Sequence, residues 1–314
     1  MTTAVASRIG YLGPAGTFTE EALLTQEDLA SCDLVPFASI DAVLEAVTSG
    51  AVEMGFVPIE NSIEGTVSAT IDSLIFDHDL LIVREVVIDI HLHLVGMPGA
   101  ALADVTEVWS YPHAIAQCRR FAASRVPNAV LRASNSTADA ARLVAETKEP
   151  RVAAIAPNMA AKIYQLAVIE ANIEDHSDNQ TRFILVRTQR IPAPTGSDKT
   201  SVVCFQRSDQ PGSLFSILAE FYARNINLTK LESRPSKRGL GQYCFAIEFD
   251  GHISDHDVAD TLVGLKRKLA DVKFLGSFPN STNQFPSEPH QFDQSDSAWN
   301  WLGGIRSQIE KATD

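Results

Sequence analysis

No stretch of this chain is both long and uncharged enough to read as a membrane span. The most apolar run, near residues 80–96, is broken by Arg84, Glu85, Asp89, His91 and His93, so it reads as a strand pair or a buried segment. Cysteine is scarce. Cys32, Cys118, Cys204 and Cys244 form no CxxC pair, which argues against a zinc site or a disulfide framework and for buried thiols in a reducing compartment. Basic residues are outnumbered, with 26 Lys and Arg against 39 Asp and Glu and a formal net charge of −13. That balance argues against non-specific binding to nucleic acid or to an anionic membrane, yet it allows an anionic substrate in a locally positive cleft. The phosphate-binding glycine patterns GxGxxG and GxxxxGK are missing as well. His91 and His93 share a strand face without a third ligand in view, so neither a cofactor nor a metal is expected. Residues 1–8 lack a basic start and an apolar stretch, which makes the cytoplasm the expected compartment.

What is there suits two soluble domains. The chain has 314 residues, 45% apolar and 21% charged. Through the first 190 residues, short apolar strands alternate with amphipathic helices. Strands are expected at 8–12, 34–37, 53–57, 107–110, 130–133 and 152–156. The helices between them carry Phe18, Ala22 and Leu29, or run from Ser39 as N-cap to a stop at Gly50, or span 114–124 and 137–147. This is α/β sequence, implying largely parallel sheets in two lobes joined near 80–96. A late strand at 182–187 returns to the first lobe. Ligands in such folds sit beyond the carboxyl ends of strands, which points to the loops after residues 12, 57, 110 and 133.

Residues 189–199 (QRIPAPTGSDK) read as a linker. Beyond it the pattern is βαββαβ, a ferredoxin-like sandwich, with Val258, Leu262, Leu265 and Leu269 on one helix face and Ser254 able to cap that helix. A polar arm follows and ends in a short helix bearing Trp299, Trp301, Leu302, Ile305 and Ile309.

Four segments carry groups suited to chemistry. Gly13-Pro14-Ala15-Gly16-Thr17 joins a strand to a helix, where backbone N–H groups of Gly16 and Thr17 can hold an anion; a bare structural turn is the plain alternative. Pro58-Ile59-Glu60-Asn61-Ser62-Ile63-Glu64-Gly65-Thr66 is dense in hydrogen-bonding groups and reads as a loop, either a ligand rim or a cap for the next helix. Ser110-Tyr111-Pro112-His113 with Gln117 repeats the strand-end arrangement. Asn179-Gln180-Thr181-Arg182-Phe183 opens the returning strand, with Thr181 and Phe183 on one face and Arg182 on the other, where it suits a carboxylate partner as well as a substrate.

Taken together, the segments from Tyr11 to Glu20, Pro58 to Ser62, Thr181 to Phe183 and Glu232 to Pro235 resemble the prephenate dehydratases in order and spacing, over residues 8 to about 278. The resemblance implies a two-lobed catalytic domain like the type 2 periplasmic binding proteins over 1–188, a linker at 189–199, a phenylalanine-sensing ACT domain over 200–278 and an arm over 279–314. It implies Thr181 as the catalytic residue, with Asn61, Ser110 and Gln117 lining the substrate site. Gly16, Thr17, Ser62, Arg182 and Phe183 complete the expected substrate-binding set. Phenylalanine is expected at Pro211, Gly212, Ser213, Leu214, Glu232, Ser233, Arg234 and Pro235. The expected reaction is loss of CO2 and water from prephenate, without cofactor, in a homodimer or homotetramer. Two alternatives stay open: an arogenate dehydratase, and a non-catalytic amino-acid sensor. The family's usual His-Pro-Gln after the serine is Tyr111-Pro112-His113 here, so the resemblance gives His113 no acid role. Its usual Gly-Ala-Leu-Val is Gly212-Ser213-Leu214-Phe215.

Overall fold

Two sheets share the first part of the chain, and one strand leaves the first lobe only to be followed, much later, by another that comes back. The computed structural model describes residues 7–208, 210–237, 239, 242–281 and 293–307. It divides into two compact units, Met1–Ile191 and Pro192–Asp314.

In the first unit one lobe runs β1 (Arg8–Leu12), α1 (Phe18–Leu24), α2 (Glu27–Ala30), β2 (Asp33–Phe37), α3 (Ile40–Thr48), β3 (Met54–Asn61), β4 (Gly65–Thr66), α4 (Ser68–Phe76) and β5 (Leu81–Asp89). The other runs β6 (His93–Gly96), β7 (Glu107–Ser110), α5 (Pro112–Gln117), α6 (Arg119–Arg125), β8 (Val130–Ala133), α7 (Thr137–Thr147), β9 (Val152–Ala156), α8 (Asn158–Ile163) and β10 (Ala167–Glu170). Then β11 (Gln180–Arg187) returns to the first sheet, whose order is β2-β1-β3-β11-β5, while the second is β10-β6-β9-β7-β8.

The sheets are mixed rather than largely parallel. Helix-linked neighbours such as β1 and β3, or β7 and β9, are parallel. Strands beside the lobe crossings, β11 against β3 and β5 and β6 against β9 and β10, are antiparallel, a pairing that needs no crossover helix. Further corrections have local causes. The loop expected at 58–62 is mostly strand, because β3 continues to Asn61 and a register shift opposite Arg182 and Phe183 accommodates Pro58 and Ile59. The helix expected at 114–124 breaks at Cys118 (φ −120°, ψ 26°), and Asp175 accepts the Arg120 N–H beyond the break at 3.1 Å. Ser39 does cap α3, accepting the Ala42 N–H at 3.2 Å.

Burial of Ile9, Tyr11, Phe56 and Phe183 builds the first core, with the Phe56 and Phe183 rings stacked at 5.5 Å. The second lobe packs the alanine face of α7 (Ala138, Ala140, Ala141) onto Val95 and Ala154. Phe18 packs against the cores of both lobes.

The second unit is β12 (Asp198–Phe205), α9 (Ser213–Tyr222), β13 (Leu228–Pro235), β14 (Tyr243–Asp250), α10 (His256–Lys268), β15 (Asp271–Pro279) and α11 (Asp293–Arg306). The antiparallel order β13-β14-β12-β15 is that of a ferredoxin-like sandwich, and β12 begins inside the segment read as linker. Val258, Leu265 and Leu269 are buried with Leu262 packed beside them. Ser254 does not cap α10: its hydroxyl meets His252 Nδ1 at 2.7 Å, and Asp255 is the N-cap. In α11 the Trp299 ring stacks on His256 at 5.5 Å, while Ile309 lies outside the described residues.

Candidate active site

Thr181 sits at the start of β11, opposite Asn61 at the end of β3. Asn61 Nδ2 donates to Thr181 Oγ1 at 2.9 Å and also faces Gln180 O at 3.1 Å and Asn179 Oδ1 at 2.8 Å. Its Oδ1 accepts the N–H groups of Ile63 and Glu64, both at 3.0 Å, which fixes which way the amide points. Thr181 is half-buried, and its own hydroxyl hydrogen meets no protein acceptor among the described residues. The hydroxyl is thus polarised from one side and free to donate on the other.

The second lobe reaches this pair through Gln117. Its Oε1 accepts from Asn179 Nδ2 at 3.1 Å, and its Nε2 faces Glu64 Oε1 at 3.3 Å. Glu64 Oε2 pairs with His113 Nδ1 at 2.9 Å, and the His113 ring stacks on Tyr111 at 5.2 Å. Side chains from both lobes therefore meet beside Thr181.

Other residues expected at the substrate site have protein partners of their own. The Gly16 N–H donates to Glu20 Oε2 at 2.6 Å. The positive φ of 88° at Gly16 lets the turn press on α8, where an added Cβ would lie 3.1 Å from Ala160 Cα. Tyr164 OH donates to Ala15 O at 3.1 Å across the same contact. Thr17 caps α1, its hydroxyl donating to Leu12 O. The turn thus packs against α8 of the second lobe. The pKa of the nearby Tyr11 hydroxyl is pushed up, mainly by burial and further by the Glu20 carboxylate. Ser62 accepts the Gln180 N–H at 2.9 Å and so braces the strand start rather than touching Thr181. Ser110 is fully buried and donates to Ile155 O at 2.7 Å. Arg182 turns to the opposite face, where Glu60 and Glu85 each hold it at 3.0 Å, and Phe183 belongs to the core.

His91 pairs with Glu174 at 3.0 Å, and His93 Nδ1 accepts the Asn172 N–H; burial lowers the His93 pKa. Neither joins a group of three or more metal-ligating side chains among the described residues. Asn179 and Glu64 lie in polar segments singled out in the sequence, yet neither was expected to line the site. Asn179 stands two residues before Thr181, the spacing at which side chains of extended chain share a face. Glu64 has nothing beyond the polarity of its segment to mark it.

In the second unit an open hollow of about 420 Å³ is lined by Gln206, Gln210, Gly212, Ser213, Leu214 and Phe215, with Phe245 beside them. Gly212, at φ 86°, is the N-cap of α9, and no side chain caps that helix. Ser233 is paired with Phe245 on the helix-covered face. Glu232 and Arg234 alternate to the other face, where they pair with each other at 3.2 Å. The two expected effector segments are thus adjacent, but Glu232 does not face the hollow.

Sequence comparison agrees with this architecture. The profile for prephenate dehydratase matches residues 9–191, and that for the ACT domain matches residues 200–267. A prephenate dehydratase of Mycobacterium marinum is 39% identical over 319 residues, covering 98% of each chain. One of Mycolicibacterium vanbaalenii is 42% identical over 312 residues, covering 95% of this chain and 98% of its own. The crystal structure of prephenate dehydratase from Arthrobacter aurescens in complex with L-Phe has a TM-score of 0.87 at 38% identity, over 96% of this chain and 99% of that one. With both profiles matched in order and relatives similar along nearly their whole length, this chain belongs to the prephenate dehydratase family and carries the ACT domain.

Proposed function

We propose that Thr181 assists departure of the ring hydroxyl in this family's reaction, the decarboxylating dehydration of prephenate to phenylpyruvate, CO2 and water. The observation that carries this reading is the Thr181 hydroxyl, which accepts from Asn61 and keeps its own hydrogen for another acceptor. Aromatisation of the ring supplies the driving force, so the protein must orient a dianion and help a poor leaving group depart by proton donation. An isolated threonine hydroxyl is a weak acid. Donation from Asn61 to its oxygen stabilises the negative charge that grows there as the proton moves to the leaving oxygen. Gln117 keeps one Nε2 hydrogen beyond its contact with Glu64, and we assign that hydrogen to a substrate oxygen. Arg182, already held by two carboxylates, is assigned to the fold.

Residues 200–278 are assigned to sensing phenylalanine, as the L-Phe complex of the Arthrobacter relative supports. The N–H groups of Leu214 and Phe215 have no protein acceptor among the described residues, and they open a helix onto the hollow, an arrangement suited to the effector's carboxylate. Residues 189–199 connect this unit to the catalytic one over 1–188. The edge strand β13 exposes Leu231 and suits pairing with a second copy in a homodimer or homotetramer. Light scattering checks that state. No helix among the described residues is long and apolar enough to cross a membrane, and the cytoplasm is the compartment proposed.

The test is phenylpyruvate formation by purified protein, with prephenate and arogenate compared side by side and phenylalanine titrated in. Turnover of prephenate, diminished by phenylalanine, is expected. Preference for arogenate would reassign the substrate, and no turnover of either would favour a sensor.

A further inference from the structure

Three side-chain amides stand in series beside Thr181, and their directions follow from one another. Asn61 is fixed because its Oδ1 accepts two backbone N–H groups, so its Nδ2 must face Asn179 and Thr181. Asn179 must then offer Oδ1 to Asn61 and turn Nδ2 toward Gln117. Gln117 in turn offers Oε1 to Asn179 and Nε2 to Glu64, whose second oxygen takes His113. The backbone N–H of Glu64 is itself one of the two groups that fix Asn61. The amides therefore close a ring through Glu64, and Gln117 is its member from the second lobe.

Asn179 occupies the middle of that ring and is 1% exposed. Ser62 Oγ also faces its Oδ1, at 3.5 Å; water has little access to replace any of these partners, and a buried amide that loses one is left less satisfied. Its backbone is held separately, since the carbonyl accepts the Ile90 N–H at 2.8 Å. The strand start thus has backbone bonds of its own, from Asn179 O and from the Gln180 N–H to Ser62.

We propose that Asn179 is a positioning residue for the dehydration. Together with the Ile63 and Glu64 N–H groups at the other end of the amide, it steadies Asn61 in the orientation that directs the Thr181 hydroxyl, and it takes its own orientation from Gln117 across the lobes. The proposal rests on the reading of Thr181 as the catalytic donor. A tie of this kind makes the aligned hydroxyl conditional on the second lobe being in place, so the donor is set when the cleft is assembled.

Steady-state kinetics of the full chain test this with Asn179→Ala, Thr181→Val and the double variant, each checked for folding by circular dichroism. Asn179→Ala is expected to lower kcat on the order of 10–100-fold, the scale of a misaligned catalytic group, with KM held within about threefold. In the Thr181→Val background it should lower kcat by less than about twofold, because no hydroxyl remains to be aimed. Full multiplication of the Asn179 effect in the valine background would overturn the proposal, as would an unchanged kcat or an effect confined to KM. Should Asn179→Ala fail to fold, Asn179→Leu, close in size but unable to bond either neighbouring amide, is judged by the same outcomes. Near-normal turnover of Thr181→Val alone would sink the catalytic reading of Thr181 and this proposal with it, whereas every other failure leaves Thr181 standing.

Discussion

Asn61 donates a hydrogen bond to Thr181 across 120 residues of sequence, at 2.9 Å, from the end of one strand to the start of its antiparallel neighbour. This contact turns an ordinary strand threonine into a hydroxyl with a polarised oxygen and an uncommitted hydrogen.

Thr181→Val keeps the branched shape and removes that hydroxyl. Turnover is expected to fall about 10²–10⁴-fold, the usual scale of a lost acid–base contribution, with little change in thermal stability. Thr181→Ser should stay within roughly tenfold of the parent, since the group that donates is retained. A valine variant with ordinary turnover would remove Thr181 from the mechanism.

Arg182→Met separates a structural role from substrate binding. The guanidinium lies in a buried site between Glu60 and a fully buried Glu85. Removing one partner from such a group leaves an uncompensated charge and costs about 3–5 kcal/mol. Unfolding should therefore come roughly 6–20 °C earlier, while KM measured well below the transition changes less than about threefold. A large rise in KM at unchanged melting temperature would instead make Arg182 a substrate ligand.

Much of the fold was legible because its signals are local. The apolar runs at Arg8–Leu12, Glu107–Ser110 and Val152–Ala156 are strands with the expected ends, and strand alternation put Arg182 opposite Thr181, where it lies. The antiparallel partners of β11 were not legible, since pairing direction depends on where distant segments cross between lobes. Nor was the fate of the Gly16 N–H. Glycine in a strand–helix turn suits an approaching anion and a close-packed helix equally; in the fold its N–H goes to Glu20, and α8 packs where a side chain would be. The site was legible as a set of polar segments. Which members touch one another, and which of them bond inward as Ser110 does, is set by burial that no single segment encodes.

Glu21 gives a pH-dependent prediction. Burial raises its pKa above the ordinary carboxylate value, and nearby His91 and Lys162 offset only part of that. A carboxyl whose folded pKa is raised favours the protonated form. Ionising it therefore costs folded-state stability as pH rises from the unfolded pKa through the folded one. Glu21→Gln should raise the melting temperature at neutral pH, and the gain should vanish once pH drops below the ordinary carboxylate range. Thermal melts of both proteins from acid to neutral pH check this, and a gain that persists in acid would assign the effect to packing instead.

The effector response should depend on the backbone at the start of α9. Gly212 holds φ 86° there with open space around its Cα, so a new methyl group meets no neighbour. Gly212→Ala consequently acts through backbone conformation, where a left-handed residue with a Cβ costs roughly 1–2 kcal/mol. Relief of that strain rotates the first turn of the helix and redirects the Leu214 and Phe215 N–H groups proposed to receive the phenylalanine carboxylate. Half-inhibition should then require on the order of tenfold more phenylalanine, the shift that about 1.4 kcal/mol of lost binding produces. Turnover without effector should be unchanged, because the residue lies in the second unit, outside the catalytic residues. Calorimetric titration of phenylalanine into both proteins separates binding from its effect on rate. Undiminished phenylalanine affinity in the Gly212 variant would move the effector away from this helix start.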